Sequence, residues 1–149
     1  MIKAITLLST MKSALSRAVS EFFKCGIIGW CIEILYTSLH ALRHRDMTLT
    51  GHTSIWMFPI YGSAFLIRPV SRLIKKRPFW FRGTFYAFWI YLVEFISGSI
   101  LMKKHACPWN YHYSKWQIHD VIRLDFAPFW FLIGLLYESV LNREHNKTH

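Results

Sequence analysis

The twenty residues from Gly83 to Met102, GTFYAFWIYLVEFISGSILM, contain no Lys, Arg or Asp and a single acid, Glu94. In a helix rising about 1.5 Å per residue they extend about 30 Å, the thickness of a bilayer's hydrocarbon core. Arg82 closes one end and Lys103 and Lys104 the other, positions from which long basic side chains reach back to water. The stretch reads as a transmembrane helix with a carboxyl near its middle.

The remaining apolar residues, 53% of the chain with 17% aromatic, also come in near-continuous runs rather than in amphipathic or alternating patterns. That distribution suits a protein whose outer face meets lipid. Three further spans are predicted. The first is Cys25–Leu42, with Gly26 and Gly29 offering close approach to a neighbouring helix. The second, Thr53–Val70, is short and is expected to break at Pro59, which lacks a backbone donor. The last is Leu124–Leu141, where Pro128 suits a first turn. The fold class expected is an all-α membrane bundle of four helices, with an aromatic loop, Lys103–Arg123, between the third and fourth.

Domain organisation follows from the same pattern: a basic N-terminal segment over 1–20, a membrane domain over 21–142 and a polar tail over 143–149. Residues 1–20 carry Lys3, Lys12 and Arg17 and no acid, and Ile5, Leu8, Met11, Leu15 and Val19 form a stripe at helical spacing. An interfacial helix on anionic lipid and a mitochondrial-type targeting peptide both fit this composition.

The formal net charge of +10 sits in short clusters between apolar runs, as membrane flanks do, and no nucleic-acid-binding motif accompanies it. The bilayer is therefore the expected partner, and nucleic acid is not. Eleven Lys and Arg fall in the two tails and the loop after the second span, against six on the opposite side. That imbalance predicts a multi-pass protein with both termini cytoplasmic.

Three spans carry a glutamate, and each lies four residues from a glycine: Gly29-x3-Glu33, Glu94-x3-Gly98 and Gly134-x3-Glu138. Such pairs share a helix face. Lipid is the worst surroundings for an ionised carboxylate, so these faces should turn inward, with Arg68 as a candidate cation. Glu33, Glu94 and Glu138 could form a proton or cation relay or a polar substrate site. They could equally be hydrogen bonds that fix the bundle.

The loop CPWNYHYSKWQIHD offers Cys107, His105, His112, His119 and Asp120, but no CxxC or HxxxH pair. No metal and no cofactor are expected, and the aromatic residues suit a headgroup-level cap. There is no GxxxxGK[ST], GxSxG or HExxH, so no recognisable catalytic constellation is present. The three cysteines imply no disulfide framework.

Four stretches together resemble a known family: Gly26-Ile-Ile-Gly-Trp-Cys-Ile-Glu33, Gly51-His-Thr-Ser-Ile-Trp56 running into Pro59-Ile-Tyr-Gly62, Tyr91-Leu-Val-Glu-Phe-Ile-Ser-Gly98, and Ala106-Cys-Pro-Trp-Asn-Tyr111. The chain is similar to the small multipass proteins labelled putative ABC-transporter type IV, or CmpB-like, and to eukaryotic transmembrane protein 229. The resemblance implies a polytopic membrane protein with Glu33, Tyr61, Gly62, Glu94, Trp109 and Tyr111 on its shared site. The family usually has Trp-Asp-Tyr-Ser where this chain has Trp109-Asn110-Tyr111-His112, so Asn110 replaces an acid.

The leading expectation is a transport-related, permease-like component with Glu33, Glu94, Glu138, Arg68 and Tyr61 at an intramembrane polar site and Cys107, Trp109, Asn110 and Tyr111 in the loop motif. Four short spans would need a homo-oligomer or a separate ATPase subunit. The rival expectations are a lipid-binding or lipid-modifying enzyme and a non-catalytic scaffold subunit.

Overall fold

The computed structural model of the chain describes residues 2–43 and 45–143, with residues 2–5 as backbone only. The tail from 144 onward and the side chain of Ile5 lie outside the described residues. Apart from one small ribbon, the architecture is helical: α1 (Ile2–Arg43), α2 (Met57–Gly62), a 3-10 turn (Ser63–Leu66), α3 (Ile67–Ile74), α4 (Phe79–Lys103), strands β1 (Gln117–Ile118) and β2 (Ile122–Arg123), a second 3-10 turn (Leu124–Phe126) and α5 (Ala127–Arg143). These form two compact units, one ending at Phe65 and one beginning at Leu66.

In the first unit α1 is a single helix of 42 residues, about 63 Å long. It runs without a break through residue 20, since no Gly or Pro occurs before Gly26 to interrupt it. The stripe through Leu8, Met11, Leu15 and Val19 is exposed. Residues 51–62 return antiparallel along the C-terminal half of α1. Gly51 sits against Ile34 and Ser38, Phe58 against Gly26, and Gly62 against Phe22. Phe22, Phe23, Trp30 and Phe58 fill that seam edge to face or tilted.

The break expected at Pro59 lies elsewhere. Pro59 is the third residue of α2, where a backbone N–H would have no intrahelical partner in any case. The path instead tightens into the 3-10 turn after Gly62, and residues 53–56 are not helical. The second expected span is therefore two short helices.

Among the described residues two helices are long and apolar enough to cross a membrane, Phe79–Lys103 and Leu124–Arg143. Four such helices are not found. Over Cys25–Leu42 the helix forms, but Glu33, Thr37, Ser38 and His40 dilute its apolar character.

In the second unit α4 starts at extended Pro78 and ends where His105 turns left-handed at φ 51°. There the Ala106 N–H donates to the Leu101 carbonyl at 2.9 Å, closing the helix as a glycine would. α4 and α5 run antiparallel, with Arg82 opposite Glu138 and Tyr86 opposite Gly134. Only 28% and 33% of their most apolar windows are buried. A helix apolar on all sides but buried on one matches a lipid-facing span rather than a soluble core helix.

Glycines at the seams admit neighbours that a methyl group would displace. A Cβ on Gly29 would lie 2.0 Å from Tyr61 Cγ, whereas one on Gly26 would meet the outer edge of the Phe58 ring at 2.7 Å. Gly29→Ala is expected to destabilise the purified protein by about 1–3 kcal/mol, read as a lower thermal midpoint in detergent. Gly26→Ala should cost less, because the far edge of a ring can swing aside.

Candidate functional site

Along α4 the buried residues Ala87, Glu94, Gly98 and Leu101 recur at helical spacing. That stripe faces the start of α5 and the loop before it. Glu94 is 7% exposed. Its Oε1 accepts a 3.4 Å hydrogen bond from the Tyr111 hydroxyl. The Trp130 indole lies beside the same carboxyl, but among the described residues Trp130 Nε1 and Glu94 Oε2 meet no partner in hydrogen-bond geometry. Tyr91, one turn before Glu94, donates its hydroxyl to the Arg123 carbonyl at 2.7 Å.

The loop is built to hold Tyr111 in place. Asn110 Oδ1 accepts the His112 N–H at 2.8 Å, and the Tyr111 N–H donates to the Asp120 carbonyl at 3.0 Å. The amide at position 110 thus closes a turn with the acceptor oxygen that an aspartate would also offer. The β1–β2 ribbon turns through His119 and Asp120, both left-handed, and presents Val121 to Gly98. Trp109 donates Nε1–H to the Val121 carbonyl at 2.9 Å and packs its ring on the same glycine. The missing side chain at Gly98 is what lets the loop seat on α4.

Above Tyr111 lies a pocket of about 240 Å³ lined by Asn110, Tyr111, Tyr113, Ser114 and Arg123. The Arg123 guanidinium stands over the Tyr111 and Phe126 rings, 5.7 and 4.4 Å from their centroids. Asp125 holds it through Nε and Nη2. Tyr111 is therefore both a lining residue of the pocket and, through its hydroxyl, a neighbour of Glu94. Cys107 is half-buried nearby. Burial pushes its thiol up, a hydrogen bond from the Trp109 backbone opposes that, and the charge of Glu94 adds to it. Among the described residues no three of His, Cys, Asp and Glu converge as a metal site requires.

Glu138 occupies the other end of the hairpin. It is 6% exposed and pairs with Arg82 at 3.0 Å. Arg82 and Glu94 are twelve residues apart on α4, about 18 Å along the axis, so Glu94 and Glu138 occupy separate sites. Arg68 is buried on α3, and Arg82 is a cation on Glu138. In the first unit Glu33 is half-buried and accepts a 2.8 Å hydrogen bond from Thr53, while Tyr61 packs on Gly29.

A family model described as "Putative ABC-transporter type IV" matches residues 20–148. The chain belongs to that family. The match takes in every residue of both carboxyl sites and the loop that covers Glu94. No solved structure matches the chain. For this putative ABC-transporter type IV member, the residues missed by sequence reasoning are Arg82, Tyr91, Arg123 and Trp130. A signal for the first was available: in an antiparallel hairpin, a cation opening one span lies level with an acid near the end of the next.

Two outcomes follow from this geometry. Arg82→Met leaves a buried carboxylate without its cation and should cost about 3 kcal/mol. Arg82→Met combined with Glu138→Leu should regain most of that loss in the same thermal melt. With Cys25 and Cys31 replaced by Ala, maleimide should label Cys107 more slowly at neutral pH than in the denatured chain, because the reactive thiolate is disfavoured. Glu94→Gln should speed the native reaction.

Proposed function

We propose that this chain is a membrane-embedded, permease-like component of a transport system, with α4 and α5 crossing the bilayer and Glu94 as the group its cargo meets. The observation that carries this reading is the Glu94 carboxyl. It is buried in an apolar helix, accepts one long hydrogen bond with the Trp130 indole beside it, and has an Oε2 with no donor in hydrogen-bond geometry among the described residues. Leaving such an acceptor unmet costs about 1–3 kcal/mol, and carboxyls within apolar spans mark ion and substrate paths.

In this reading the pocket that Tyr111 lines is the approach, and the tyrosine is the residue shared between it and Glu94. A cargo suited to this carboxyl brings a positive charge or a hydrogen-bond donor. Membership of the putative ABC-transporter type IV family supports the transport reading. The sequence has no phosphate-binding loop, so nucleotide hydrolysis would belong to a separate subunit. Glu138, by contrast, is neutralised by Arg82 and serves the hairpin's structure. With α4 and α5 crossing, the loop over Glu94 lies on one side. The more basic end, with Arg72, Lys75, Lys76 and Arg77, lies on the cytoplasmic side.

The test is uptake by sealed membrane vesicles with and without the chain, over a panel of labelled inorganic cations, amines, amino acids and sugars. One solute class should accumulate only with the wild-type chain. Glu94→Gln, at equal abundance and thermal midpoint, should lower that accumulation at least about tenfold, in line with the loss of a charged partner. Unchanged accumulation by Glu94→Gln would contradict the assignment.

A further inference from the structure

Four cations stand together where α3 hands over to α4: Arg72, Lys75, Lys76 and Arg77, all exposed. No acid occurs between Asp46 and Glu94, and among the described residues none of the four makes an ion pair. The two other cations of the segment are placed differently, Arg68 being buried and Arg82 bound to Glu138.

The same stretch exposes three large apolar side chains: Leu73 at 84%, Phe79 at 63% and Trp80 at 60%. α3 buries Ile67, Arg68 and Ser71 on its inner face and packs on α5, which leaves Arg72 and Leu73 facing outward. Four cations with no acidic partner among the described residues, one of them over the Phe81 ring, interleaved with three exposed apolar groups, suit neither water nor hydrocarbon alone. They suit the boundary, where aromatic rings sit at headgroup level and cations meet phosphates.

We infer that residues 72–80 form a docking collar for anionic phospholipid headgroups at the membrane surface from which α4 departs. The inference rests on the crossing of α4 proposed above. A nucleic acid or an acidic protein would use the four charges but not Leu73, Phe79 and Trp80. A bilayer surface uses both sets. Each basic residue near an anionic surface adds to the attraction, and salt weakens the whole.

The full chain, purified in zwitterionic micelles, is mixed with equal amounts of phosphatidylglycerol and phosphatidylcholine of matched acyl chains. Retained lipid is then counted by native mass spectrometry. The wild-type chain should retain the anionic lipid about tenfold over the zwitterionic one, and the preference should collapse as salt rises. The variant Arg72→Gln/Lys75→Gln/Lys76→Gln/Arg77→Gln should approach parity with a thermal midpoint little changed, since these side chains are exposed and the Arg77 guanidinium, 5.7 Å over the exposed Phe81 ring, makes only a weak surface contact.

Equal retention by the wild-type chain, a salt-independent preference, or a preference kept by the variant would overturn the inference. Displacement of the lipid by inorganic phosphate or RNA at comparable concentration would overturn it too, because the site would then read charge alone. Carbonate extraction of the source membranes separates this failure from that of the parent reading. Release of the chain would sink the crossing of α4, whereas retention without anionic preference would sink only the collar.

Discussion

Close contact between α4 and α5 is the constraint from which the rest of the second unit follows. Gly83 lies against Phe131 and Gly134 against Tyr86, each so near that a Cβ would fall within 2.5 Å of the facing ring or its stem. In the bilayer crossing proposed above, helices gain nothing from hiding apolar surface from water, so small residues that let backbones approach would supply the attraction through packing. Setting the two helices antiparallel brings Arg82 level with Glu138 at one end. It brings Glu94 beneath Tyr111 and Trp130 at the other.

The two carboxyls of this hairpin meet burial in opposite ways. Glu138 has a guanidinium at 3.0 Å, and removing either partner alone strands a charge. Glu94 has a tyrosine hydroxyl at 3.4 Å and an indole that falls outside hydrogen-bond geometry. A chain selected only for stability would gain by replacing such a carboxyl with an apolar group of similar size. The contrast supports, on chemical grounds, the different roles proposed for the two residues, even though both share the glutamate-glycine spacing.

Much of this was legible in the sequence, and the limits have physical causes. The apolar run over Gly83–Met102 announces α4, and the spacing of Glu94 from Gly98 puts both on the buried face. Pro59 misleads because proline disrupts a helix interior but not a first turn, and only the structure places it in one. The first twenty residues look like a separate segment by composition. Helix continuity depends on the absence of breakers, and none occurs before Gly26, so a compositional change at residue 20 need not mark a change of backbone. Arg82 looked like a flank because its partner lies 56 residues away. The β1–β2 ribbon is two residues per strand and leaves almost no periodic trace, although it is what presents Val121 to Gly98.

The most direct test of this account is a crystal structure of the full chain grown from a lipidic phase, at a resolution that shows ordered water. The account predicts non-protein density within hydrogen-bond distance of Glu94 Oε2, continuous with the pocket above Tyr111. A Glu94 carboxyl with both oxygens bonded to protein donors, and Tyr111 closed over it with no such density, would contradict the claim that this carboxyl is there to meet a cargo.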